Sequence, residues 1–199
     1  MKKMIFTLFL VCSPSFANVT DPAKYVGDPI PFFSETNFEV KSLYPNSVLL
    51  FIGSFSQSKP DPGCSQIGWQ FIYQDDQTEQ GIRKSFRQKK QANGNCAYIS
   101  DSSLGVSPGD YPIFGFQNIE GKLDRIKISF NEAKDIAEKT VGNGFYGEWI
   151  KLWTPLHPIS NGRIFWDFEG PVVCNKGAHI AIDAQTGIVE YKFSNIPNC

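Results

Sequence analysis

Ser129-Phe-Asn-Glu-Ala-Lys-Asp-Ile-Ala-Glu-Lys-Thr140 and, downstream, Trp149-Ile-Lys-Leu-Trp153, Phe165-Trp-Asp-Phe168 and His179-Ile-Ala-Ile-Asp-Ala-Gln-Thr-Gly-Ile-Val189 decide the fold. Ser129 and Glu132 stand at capping-box spacing, where each side chain accepts an otherwise orphaned backbone N–H at a helix start. Ala133, Ile136, Ala137 and Thr140 then recur on one helical face. Gly142 is a natural stop. A strand ending at Ile126 and Ile128 precedes the helix; 149–153, 163–168, 177–183 and 188–193 follow as strands. A helix followed by a run of strands predicts an α+β fold, an antiparallel sheet with a helix packed on one face.

Working toward the N-terminus, residues 101–112 are rich in Gly, Ser, Pro and Asp and mark a domain boundary. Before them, Asn46-Ser-Val-Leu-Leu-Phe-Ile-Gly-Ser-Phe55 contains one β-rich strand. Trp69–Tyr73 and Gly81–Gln88 make a hairpin across a polar turn, and Asn93-Gly94-Asn95 closes the unit. Residues 33–44 suit a short helix, and Asp21-Pro22 with Asp28-Pro29-Ile30-Pro31 gives an extended lead-in. We therefore expect two small α+β units, 18–112 and 113–199. Asp76-Gln77-Thr78 with Gly81-Ile82 echoes Ala184-Gln185-Thr186-Gly187-Ile188. That echo fits a degenerate repeat and equally fits two hairpins that happen to use one turn.

Residues 1–17 read as a signal peptide: Lys2 and Lys3, the apolar run Met4–Val11, then Ser15-Phe16-Ala17 with cleavage after Ala17. Lipidation at Cys12 would need a small residue before the cysteine, and Val11 stands there. The chain has 19 Lys+Arg against 20 Asp+Glu; losing Lys2 and Lys3 leaves 17 against 20. No basic field remains to favour nucleic acid, and no stable membrane insertion is expected after cleavage. Of 5 cysteines, loss of Cys12 leaves Cys64, Cys96, Cys174 and Cys199 in an exported chain, which implies two disulfides. In each half one cysteine precedes the first strand of a hairpin and one follows the second, so their Cα atoms can approach the roughly 5.5–6 Å that a disulfide needs. We expect Cys64–Cys96 and Cys174–Cys199.

The capped helix, the aromatic strand Phe165-Trp166-Asp167-Phe168 and the turn Asp183-Ala184-Gln185-Thr186-Gly187 resemble a PepSY domain over residues 123–195. That resemblance implies a helix on an antiparallel sheet, an envelope or exported location and, in some members, inhibition of peptidases. The matched residues have scaffold roles: Asp183 and Thr186 accept N–H bonds in the turn, and Gly187 supplies φ > 0.

Reactive constellations are sparse. His157 sits in Pro155-Leu156-His157-Pro158, and His179 lies four strand residues, about 13 Å, from Asp183 on the same face, too far for a hydrogen bond. No Cys-x-x-Cys, His-x-x-x-His or EF-hand spacing occurs. We expect no catalytic centre, no metal and no cofactor. Arg83, Lys84, Arg87, Lys89 and Lys90 would suit an anionic partner or, better, a charged edge strand. Trp149, Trp153 and Trp166 form the candidate partner surface, since tryptophan anchors interfaces. The functional expectation is a non-enzymatic periplasmic or secreted protein that binds a protein partner, an inhibitor of a peptidase or other hydrolase in its most concrete form. An immunity or adaptor protein against a toxin, and a structural envelope component, are the alternatives.

Overall fold

The described residues form these α-helices and strands: α1 (Phe33–Leu43), β1 (Ser47–Ser56), β2 (Ile67–Asp75), β3 (Gly81–Lys90), β4 (Cys96–Ser100), β5 (Gly105–Ser107), α2 (Phe130–Val141), β6 (Trp149–Trp153), β7 (Phe165–Glu169), β8 (Ala178–Asp183) and β9 (Val189–Ser194). The computed structural model describes residues 27–57, 61–65, 67–101, 103–107, 116–141, 149–155, 160–170 and 178–194. The expected signal peptide, Gly142, His157 and the Cys174–Cys199 pair lie outside them, as does the expected boundary between residues 112 and 113.

The nine described strands join one antiparallel sheet, in the order β4-β3-β2-β1-β6-β7-β8-β9, with β5 pairing β3 beside β4. The strands of the two halves do not interleave. They meet at a single seam, where Phe51, Ile52 and Gly53 of β1 pair with Trp153, Leu152 and Lys151 of β6. Each half is therefore a helix and its own meander, and the two meanders share a sheet.

Both helices lie on one face and close a common core. The α2 capping box forms as its spacing demands: the Ser129 N–H donates to Glu132 Oε2 (2.8 Å) and the Glu132 N–H to Ser129 Oγ (3.3 Å). Ala133 and Ala137 are buried, and their small side chains let α2 sit close on β7 and β8. Phe130, at the start of α2, reaches across the seam. Its ring centroid lies 5.1 Å from Trp69 of β2, 5.8 Å from Trp166 and 6.1 Å from Phe168 of β7. Burying a large aromatic contributes about 1.5–3 kcal/mol, and the Phe130–Trp69 contact adds a link between the halves beside the seam.

Three local expectations are corrected. Ile126 and Ile128 end no strand: a 3-10 turn spans Glu120–Arg125, and the N–H groups of Lys127 and Ile128 both donate to Ala184 O (2.9 and 3.0 Å). The first unit does not end at Asn95, because Gly94, at φ +86°, turns the chain into β4. Consequently β3 is no edge strand, since β2 flanks it on one side and β4 and β5 on the other. The Cys64–Cys96 disulfide is present, with its Cα atoms 5.5 Å apart, and Cys96 opens β4 opposite Lys90.

Candidate functional site on the helix-free face

Strand alternation sends every second side chain of β6, β7 and β8 away from the helices. Ile150 and Leu152, Trp166 and Phe168, and Ile180 and Ile182 point into the core. Trp149, Lys151 and Trp153, then Asp167 and Glu169, then His179 point to the opposite face. The register places Glu169 between Trp149 and His179, and Asp167 between Lys151 and Ala181.

Contacts on this face run along diagonals, the reach that long side chains have between neighbouring strands. Lys151 Nζ bonds Glu169 Oε1 at 2.7 Å. The Trp153 indole N–H donates to Asp167 Oδ2 at 2.9 Å, and the other oxygen, Oδ1, meets His179 Nε2. Asp167 is deeply buried, 2% exposed, whereas the side chains of Glu169 and His179 are partly open to solvent. The hydrogen bond to Asp167 holds the His179 imidazolium above its ordinary pKa, although burial pulls the other way. The donor atoms of Asp167, Glu169 and His179 lie within 4.8 Å of one another.

The sequence-predicted surface residues separate here. Trp149 is 57% exposed and Trp153 is half-buried, its ring tilted against Phe116, which in turn stacks on Phe51 of β1. Trp166 is corrected: it is fully buried beneath α2, with its indole N–H donating to Ile128 O at 2.8 Å, and presents nothing to a partner. His179 stands with respect to Asp183 as the sequence predicts. Asp183 is indeed not its partner, because Asp183 Oδ1 accepts the N–H groups of Gln185 and Thr186, while Oδ2 faces Arg163. The carboxylate that His179 finds is Asp167, 12 residues away on the next strand. The available signal was the period-2 pair Asp167/Glu169 facing His179 across a hairpin. Motif spacings written for one helix or one loop do not capture it.

The basic run of β3 splits between faces. Lys84 points inward and is 2% exposed, bonded to Glu39 of α1 (2.7 Å) and to Asp101 O (2.8 Å). Arg83 and Arg87 point outward and, with Ser85 and Asp101, line an open cleft of about 460 Å³. Arg87 Nε lies 3.2 Å from Asp101 there.

Comparison with protein-family models and with curated proteins finds no match. Among solved structures the chain is similar to a "putative lipoprotein" from Clostridium difficile 630, at 11% identity and a TM-score of 0.49, over 85% of this chain and 99% of that one. At that similarity no property passes from that protein to this chain.

Proposed function

We propose that this chain is an exported, non-enzymatic binding protein that docks a protein partner on the helix-free face around Trp149 and Trp153, and that inhibition of a peptidase or other hydrolase is the form this binding takes. The observation that carries the proposal is Trp149, a large indole 57% exposed on a sheet face that neither helix covers. A tryptophan so placed is the residue type that supplies most of the binding energy at interfaces. Lys151 and Glu169, beside it, form a paired polar rim. Export is supported by the Lys2-Lys3, Met4–Val11 and Ser15-Phe16-Ala17 pattern. Among the described residues no helix is long and apolar enough to cross a membrane. The PepSY-like character of the second half is supported by the formed capping box, by α2 on β7 and β8, and by the Asp183–Gly187 turn.

The test is inhibition of a panel of metallo- and serine peptidases, together with affinity capture from an envelope extract, using the wild-type protein and Trp149→Asp. Loss of an interface tryptophan costs about 2 kcal/mol or more, so the variant should bind its target roughly 30-fold more weakly. Inhibition or capture that Trp149→Asp leaves unchanged would remove this face from the function. Failure to inhibit any peptidase, with capture of a different envelope protein that depends on Trp149, would keep the docking face and discard the inhibitor form.

A further inference from the structure

We infer that Asp167, Glu169 and His179 form a binding site for a single Zn²⁺ ion on the helix-free face. The three side chains come from adjacent positions of the β7–β8 hairpin, and their donor atoms, one imidazole nitrogen and two carboxylate oxygens, lie within 4.8 Å of one another. Zn²⁺ takes this donor set at about 2.0–2.2 Å in a tetrahedron, whose edges are then roughly 3.3 Å. Side-chain rotations that part the direct Asp167–His179 contact and draw Glu169 inward bring the three donors to that figure.

The surroundings favour an ion in the way that supporting shells of metal sites do. The Trp153 indole N–H holds Asp167 Oδ2, which turns Oδ1 toward His179 Nε2 and fixes the buried carboxylate in place. The ion takes the position of the proton between Asp167 and His179. Two carboxylates and a neutral imidazole balance its charge. Lys151 neutralises Glu169 without the ion; with the ion it withdraws toward the Trp153 ring, whose centroid is already 5.8 Å from Nζ. The side chains of Glu169 and His179 are 40% and 34% exposed while that of Asp167 is 2% exposed, so the ion enters from solvent and keeps its fourth position on the open side. The site shares Lys151, Trp153 and Glu169 with the proposed docking face, but Trp149 supplies no ligand, so Trp149→Asp, which tests docking, should leave Zn²⁺ binding intact.

Titration calorimetry of the chelator-stripped, oxidised protein with Zn²⁺ alone, and visible absorption with Co²⁺ in its place, test the site. We expect one ion per chain at micromolar affinity and a tetrahedral Co²⁺ spectrum. His179→Gln and Glu169→Gln should each weaken binding by at least about tenfold. Trp153→Phe should do so by about 10–100-fold with the stoichiometry kept. Lys151→Gln, which removes the competing ammonium, should tighten binding several-fold, a gain that misfolding cannot produce. Absence of saturable Zn²⁺ binding below millimolar concentrations would overturn the site, as would binding that survives His179→Gln and Glu169→Gln or that weakens with Lys151→Gln.

Discussion

Asp75 and Asp183 build turns with the same pattern of backbone hydrogen bonds. Each Oδ1 accepts the N–H groups two and three residues on: Gln77 and Thr78 for Asp75, Gln185 and Thr186 for Asp183. In each, the N–H four residues on returns to the Asp carbonyl, from Glu79 at 2.9 Å and from Gly187 at 2.8 Å. That fourth position is left-handed in both, with φ 56° at Glu79 and 75° at Gly187. Backbone N–H bonds from Thr78 hold the Asp75 carboxyl below its ordinary pKa. The left-handed region costs a side-chain-bearing residue about 1–2 kcal/mol, and a glycine returns part of the gain as chain entropy. Glu79→Gly should therefore stabilise the fold by about 0.5 kcal/mol. Gly187→Ala should destabilise it by more than about 1 kcal/mol, because its Cβ would also lie 3.3 Å from Ile128 Cδ1 and 3.4 Å from Ile136 Cδ1. Urea midpoints of the two variants check this, and a destabilised Glu79→Gly would contradict it.

At the scale of elements, turns and strands were legible where side-chain period and turn chemistry acted locally. The stretch Trp149–Trp153 alternates so cleanly that its expected and observed bounds coincide. Partnership between elements was not legible, because it depends on which strands become neighbours. The turn echo shows this. It falls between β2 and β3 in the first half but between β8 and β9 in the second. Counted outward from the seam these are different hairpins, so the echo reports turn chemistry and says nothing of a repeat. Lys84 shows it again. In the sequence it is one of five neighbouring cations; in the fold it is the inward residue of an interior strand and the polar tie between β3 and α1. A buried ion pair is costly to break from one side and nearly neutral to replace with apolar bulk. Glu39→Ala should therefore destabilise the protein by about 2–3 kcal/mol, less than for a wholly buried pair because Glu39 is partly solvated. Lys84→Met in the Glu39→Ala background should recover most of that loss. A double variant no more stable than Glu39→Ala alone would mean that Lys84 is not held by this pair.

At the scale of the molecule, the sequence predicts two small units, each with its own hairpin disulfide. In the fold the described residues of the two share one core cluster. Phe130 of the second half packs on Trp69 of the first, and the Ile150 N–H donates to the buried Ser54 Oγ across the seam at 2.8 Å. Leu49 adds a further tie, its N–H donating to Glu120 Oε1 at 2.9 Å. These contacts couple the unfolding of one half to the other, because opening either strips apolar surface and hydrogen-bond partners from both. The Cys64–Cys96 bridge lies wholly within the first half, with a sequence separation of 32. In the chain-entropy model, closing such a loop is worth about 3–4 kcal/mol. Were the halves independent, Cys64→Ser/Cys96→Ser would lower the melting of the first half alone and split the transition in two. With the shared core, the loss is spread over the whole chain: the double variant should melt in one transition at lower temperature. Far-UV dichroism and intrinsic fluorescence, to which the first half contributes Trp69 and the second half Trp149, Trp153 and Trp166, should follow the same curve. A fluorescence component that stays at its original midpoint while the dichroism moves down would show that the second half stands without the first.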